Sequence, residues 1–274
     1  MPQPKLPSQT ATVSELLESA TVVFRLTLAK CLPVAMFAML TALLPSMYWL
    51  TTGKPLDYLH PPTNAAFWAI AGVALAGYQL LAGLLMIRQR ALLDGIPPQA
   101  RREFAIAARK WLALAVAGLI FGIALGLAMT SAAMVLMSIW RSAGWHLGAP
   151  DLIGAAVMFV GSVLLTVCLL ILRPVILFDK GPVMQAIGRC VRLVRPHWSK
   201  IGAAALVALL IVVTCLVAAV VVFGIANAGL SAAGLTLSAI GALNAAFALG
   251  IEAVALVYFN ALWLVLYSAA SSSA

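Results

Sequence analysis

Glu252 stands deep inside a long apolar stretch, with Asn244 and Asn260 each eight residues away. At about 100° per residue, eight steps run roughly 80° past two helical turns, so the three spiral rather than stack. Asn244 and Glu252 can still line one cavity. A carboxylate there has two readings: it binds a proton or a substrate, or it is a buried hydrogen-bonding group between helices. A charge at the centre of a bilayer costs roughly 2.5–3.5 kcal/mol on insertion scales, so Glu252 must face the bundle interior, be protonated or have a partner.

Arg173 is the second candidate. It lies about five residues from the inner end of its apolar run, close enough to snorkel, and Pro174 beside it is expected to kink the helix. Glu252 sits roughly 10–15 Å deeper at 1.5 Å per residue, so an Arg173–Glu252 pair needs offset helices. Gln79 with Tyr78, Thr130 with Ser131, and Thr166 read as polar glue between helices or as the lining of a pathway. Gly118, Gly122 and Gly126 form a tandem Gly-x-x-x-Gly face, suited to close helix packing within the bundle or between copies of the chain.

Little else could do chemistry. The cysteines Cys31, Cys168, Cys190 and Cys215 stand singly, with no metal-ligand spacing, and read as reduced, small packing residues. His60 and His146 fall in two short outer loops near Asp57 and Asp151, and His60 before Pro61 reads as part of a turn. No metal, cofactor or catalytic set is expected.

The elements that must position these residues follow from composition. The chain has 274 residues, of which 64% are apolar and 9% charged, with a mean hydropathy of +1.08. A soluble domain is nearer 45–50% apolar and about 25% charged, so lipid is the solvent. Six apolar runs reach the roughly 20 residues a spanning helix needs: 31–50, 65–87, 111–139, 152–178, 201–225 and 237–267. Their continuity excludes a β-barrel. The expected fold is an all-α membrane domain over 12–270, with short tails at 1–11 and 271–274, the first disordered.

The formal net charge is +9, from 17 lysines and arginines against 8 acids. With six spans, only Lys54 and Arg141 fall on one side and every other lysine and arginine on the other. By the positive-inside rule both termini are cytoplasmic. The basic residues form no exposed stripe for nucleic acid; phospholipid headgroups are the expected partner.

The spans group as three hairpins, each preceded by a basic amphipathic stretch expected to lie in the membrane interface. The first is 12–30, opened by a Thr12/Glu15 capping box. The second is 98–110, with Phe104, Ala107, Ala108 and Trp111 as its apolar side. The third is 182–198, with Val183, Ile187, Val191 and Val194 on one stripe. Arg101, Arg102, Arg109, Lys110, Arg189, Arg192, Arg195 and Lys200 are the expected contacts to anionic lipid.

The stretch Arg173-Pro-Val-Ile-Leu-Phe-Asp-Lys-Gly, followed by Ala186, Arg189, Leu193, Trp198 and Lys200, resembles the YciC-like bacterial inner-membrane proteins. It also resembles the membrane domain attached to some glycerophosphodiester phosphodiesterases. The motif covers about 30 residues. Cys190 departs from it, standing where a serine is common. The resemblance implies a six-span bundle in the bacterial inner membrane and carries no defined activity. The expected role is therefore non-enzymatic: an accessory or envelope-maintenance protein that binds lipid, a membrane-protein partner or a second copy. The competing expectation is a small carrier or lipid transporter using Glu252.

Overall fold

Unbroken apolar sequence in lipid folds as helix, because only then does every backbone N–H and C=O find a partner within its own segment. The computed structural model describes residues 11–51, 64–141, 149–179, 181–232 and 237–271, and among them there is helix and no strand. The order is α1 (Val13–Thr51), α2 (Ala65–Leu93), α3 (Ala100–Arg109), α4 (Trp111–Arg141) and α5 (Ala149–Leu169). It continues with α6 (Leu172–Phe178), α7 (Val183–Val194), one 3-10 turn (Arg195–His197), α8 (Trp198–Ala232) and α9 (Leu237–Ser271).

Five segments of the described residues are long and apolar enough to cross a membrane: Val13–Trp49, Ala65–Leu93, Trp111–Ala132, Val157–Phe178 and Leu243–Ser271. The five do not include α8, the 35-residue helix over the expected fifth span. The protein is thus a multi-pass helical membrane protein. α1 packs on α2 and α9, α4 packs on α5 and α2, and α8 touches α9, α1 and α5. Small residues set the closest approach: Cys31, Ala35 and Ala38 of α1 meet Leu85 of α2 and Ala253 and Val257 of α9, all buried.

Two expected elements differ. The stretch 12–30 and the span 31–50 are one continuous helix of 39 residues. No residue between them ends it: Thr27 returns its hydroxyl to the Val23 carbonyl, and Pro33 is carried inside the helix. At 1.5 Å per residue α1 is about 58 Å long, roughly twice the hydrocarbon thickness, so about half of it projects. Its capping box is present: Thr12 N donates to Glu15 Oε2 at 2.7 Å, and Glu15 N to Thr12 Oγ1 at 3.3 Å.

The fourth span is broken rather than kinked. α5 ends at Leu169 and α6 begins at Leu172. Pro174 has no N–H, and its ring would strike the carbonyl four residues back, that of Leu170. Around the break, Leu170 N bonds the Val167 carbonyl in a tighter turn, and Val175 N restarts the ladder on Ile171. Cys190 Sγ donates to the carbonyl of Cys168, satisfying one of the acceptors that a helix end leaves open.

α2 ends in a Schellman turn, Gly95 N to Leu92 O and Ile96 N to Ala91 O. This needs the positive φ of Gly95, 72°. α3 then folds back. Its Glu103 is buried, receives Gln99 N at 3.1 Å and pairs with Arg88 of α2 at 2.9 Å. Arg88 Nη1 also donates to the Lys30 carbonyl of α1 at 3.4 Å.

Leu16 of α1, His197 and Lys200 beside and in α8, and Leu266 and Ala270 of α9 line one small cavity. Lys110, just before α4, reaches the end of α6. The start of α1, the ends of α2, α6 and α9, the starts of α4 and α8, and both short helices α3 and α7 therefore gather at one end of the bundle. This is the end expected to carry the positive charge.

Candidate functional site

The polar groups that the spans bring together centre on Arg173. Leaving α5 at the Pro174 break turns its side chain into the space between α2, α4 and α9. There Nη2 donates to Gln79 Oε1 of α2 at 2.7 Å, and Nη1 to Asn260 Oδ1 of α9 at 3.0 Å. The guanidinium carbon lies 4.8 Å from the centroid of the Trp263 ring, a cation–π distance. Tyr78 interacts electrostatically with the same guanidinium. Gln79 and Asn260 are buried. Among the described residues no carboxylate lies within ion-pair distance of Arg173.

Gly118 of α4 makes this arrangement fit. A Cβ built there would overlap the Gln79 side chain, so glycine lets α4 close over the amide. Gly122 and Gly126 have nothing within 4 Å of such a Cβ. Among the described residues the tandem glycine face is thus engaged at Gly118 alone. Beside the cluster a crevice lined by Leu114, Gly118, Phe121, Leu169, Arg173 and Trp263 has a volume of about 30 Å³, room for one or two waters.

Glu252 is not part of this site. It is exposed on α9, and Arg173 pairs with Gln79 and Asn260 instead. The reason is register: Asn260 shares the buried side of α9 with Ala253, Val257 and Leu264, and Glu252 falls off that side. Asn244 is partly buried, with its Oδ1 enclosed and no partner among the described residues. The spacing of eight therefore links three residues that do not act together. Ser131, Thr130 and Thr166 bond carbonyls of their own helices.

A second polar set sits at the α6–α7 turn. Lys110 Nζ donates to the carbonyls of Ile176, Leu177 at 3.0 Å and Asp179 at 3.1 Å. It thereby caps the carbonyl end of α6, where a cation also suits the helix dipole. Lys110 was expected to contact anionic lipid; its ammonium is turned inward instead. Desolvation pushes its pKa below the usual lysine value, and Asp179 partly opposes this. Asp179 accepts the Tyr267 hydroxyl at 2.8 Å and pairs with Arg189 Nε at 3.1 Å. Arg189 is therefore half committed to α6. A third set is buried: Gln89 Nε2 donates to Val257 O at 3.0 Å and Thr27 Oγ1 at 3.4 Å.

Arg101, Arg102, Arg109, Arg192, Arg195 and Lys200 are exposed. α3 packs through Glu103 and Ala107, while Phe104 and Trp111 of its expected apolar side are exposed. α7 packs through Ala186, Cys190, Leu193 and Val194, leaving Val191 and Met184 outside, the latter 78% exposed. Both helices are thus docked on the bundle, with arginines and apolar side chains facing outward.

His60, His146 and Asp57, and the side chain of Asp151, lie outside the described residues. Among the described residues no group of three His, Cys, Asp or Glu side chains could hold a metal. The cysteines of the described chain are free thiols. No protein-family model, curated protein or solved structure matches the chain.

Sequence reasoning missed Glu103, Asp179, Tyr267 and Gln89 as tie points. It grouped Gln79 and Arg173 with Glu252 and Asn244 as candidate polar residues of the spans and left Asn260 out. The signal was depth: Gln79, Arg173 and Asn260 lie eight, five and seven residues inside the expected inner ends of spans two, four and six, or roughly 7–12 Å.

Proposed function

We propose that the protein is a non-enzymatic, six-span inner-membrane protein of the YciC-like type. Its spans form three hairpins, with α8 as one of the six, and both chain ends are cytoplasmic. It works by holding anionic lipid, and through it a membrane partner, at the cytoplasmic face. One observation carries this reading: at the end where α3 and α7 gather, Arg101, Arg102, Arg192 and Arg195 are exposed together with Phe104, Trp111, Met184 and Trp198. Arginines over an apolar fringe are the chemistry of a surface that sits among anionic headgroups. The carrier reading through Glu252 draws no such support, because Glu252 is exposed and stands apart from the polar cluster at Arg173.

The test is native mass spectrometry of the protein extracted gently from its own membrane, with the Arg101/Arg102/Arg192/Arg195→Gln variant beside it. The expected result is retained phosphatidylglycerol or cardiolipin that the variant loses. Each basic residue near the surface is worth about 1 kcal/mol toward anionic lipid. Equal retention by a folded variant removes the surface from the function. A second polypeptide at fixed stoichiometry identifies the partner.

A further inference from the structure

We propose that Arg173, Gln79, Asn260 and Trp263 form an intramembrane site for the anionic head of a membrane amphiphile, a phosphate or a carboxylate. The head enters sideways through the crevice between α4 and the α5–α6 break, which holds one or two waters as it stands and must widen to admit it. This site is separate from the arginines of α3 and α7.

Charge is the first argument. A guanidinium is ionised at any accessible pH. Here it is held by two neutral amide oxygens, the Tyr78 side chain and an aromatic face. Those groups fix its orientation and leave its full positive charge. The acids that could have compensated it are engaged elsewhere: Glu103 by Arg88, Asp179 by Arg189 and Tyr267. Glu252 is exposed on another side of α9. A charge taken out of water without a counter-charge is costly, and a bound anion removes that cost.

The donor count is the second. A guanidinium has five N–H groups; two of Arg173's are used by the amides and another meets Tyr78, which leaves two. Asn260 Nδ2 is buried with no acceptor among the described residues. The cluster therefore holds more donors than acceptors, and the matching ligand is rich in acceptors. Phosphate and carboxylate oxygens meet a planar fork in bidentate geometry.

Access is the third. The crevice runs from Arg173 along Leu114, Phe121, Leu169 and Leu170, a wall suited to an acyl chain. Arg173 is about five residues, or roughly 7 Å, from the inner end of its span. A headgroup of the cytoplasmic leaflet reaches that depth with little displacement.

The experiment uses the full chain in nanodiscs of phosphatidylcholine doped with phosphatidic acid or with oleate, with inorganic phosphate as competitor. One saturable site is expected, weakened by at least about tenfold in Arg173→Gln and less in Arg173→Lys, which keeps the charge without the fork. The Arg101/Arg102/Arg192/Arg195→Gln variant should leave this site intact, which separates its failure from that of the surface reading. Preference for phosphatidic acid names a phosphate head, and preference for oleate a carboxylate head. No saturable binding of either, or competition by inorganic phosphate as strong as by phosphatidic acid, overturns the proposal. If Arg173→Gln does not fold, a photoreactive phosphatidic acid on the unaltered protein decides. Cross-links concentrated on Leu114, Phe121 and Leu169 support the site, and cross-links spread evenly over the spans refute it.

Discussion

Replacing Gly118 by alanine tests whether α4 closes over Gln79 as described. The new methyl group would overlap the Gln79 side chain, which is not free to swing away because its Oε1 holds Arg173 at 2.7 Å. Either the helices separate or that bond breaks. Overpacking of this kind costs about 1–3 kcal/mol. Alanine also gains up to about 1 kcal/mol over glycine in helix propensity, which blurs the net effect. Gly122→Ala removes the ambiguity. It sits one turn along the same helix, carries the same propensity gain and meets nothing within 4 Å. The difference between the two variants is therefore the overlap alone, a factor of roughly 5 to 150 in the unfolding equilibrium. The assay is reversible unfolding in mixed micelles titrated with SDS, followed by tryptophan fluorescence. Gln79→Ala with Gly118→Ala completes a cycle, since without the amide side chain the methyl group has space and its penalty should vanish. If Gly118→Ala is as stable as Gly122→Ala, or if Gln79→Ala fails to relieve it, the packing of α4 over the polar cluster is wrong.

Lys110→Met should lower stability by about 1–3 kcal/mol in the same assay, because it strands the α6 carbonyls that the ammonium satisfies; a neutral result would return Lys110 to the lipid-facing set. Cys190 gives a pH-dependent test. Burial pushes its thiol from 9.0 up to about 12, so the folded chain keeps a proton that the unfolded chain sheds. Its contribution is complete below pH 9 and lost as pH rises from about 9 to 12. A chain with Cys190 as its only cysteine should therefore lose stability across that window and resist maleimide at pH 8. Labelling at the rate of an open thiol would refute its enclosure beneath the α5–α6 break.

How far the sequence could be read follows from which forces were local. Apolar run length is a local property, and the runs it marks lie in helix, although the first is fused to the stretch before it and the fourth is broken in two. The Thr12–Glu15 capping box is equally local and forms as spelled. Pro174 marked the fault in span four, but a kink became a break because Cys190, from another segment, satisfies the Cys168 carbonyl beside it. That help arrives only with tertiary structure. Glu103 illustrates the opposite failure. On α3 it looks like one more charge on a basic amphipathic helix, yet it is the buried anchor to Arg88. Nothing in the spacing of α3 distinguishes it from a solvated acid.

Glu252 and Arg173 show why rarity in a span is a poorer guide than depth. Glu252 drew attention as the single deep acid, but α9 turns its small and apolar residues, Ala253 and Val257, toward α1 and α2, and the carboxylate is left outside. Arg173 looked like a snorkelling residue near a span end. Its neighbours at matching depth on α2 and α9 were uncharged amides, which carry little weight in a search for paired charges. Yet an arginine held by neutral acceptors keeps an uncompensated positive charge, whereas one paired with an acid belongs to a pair of zero net charge. A bundle that keeps Gln79 and Asn260 at this level, and ties its carboxylates to Arg88 and Arg189 nearer the surface, preserves one oriented positive charge among its spans. That separation of charge is what a site for an anionic head requires, and it is visible only when the three helices are compared at equal depth.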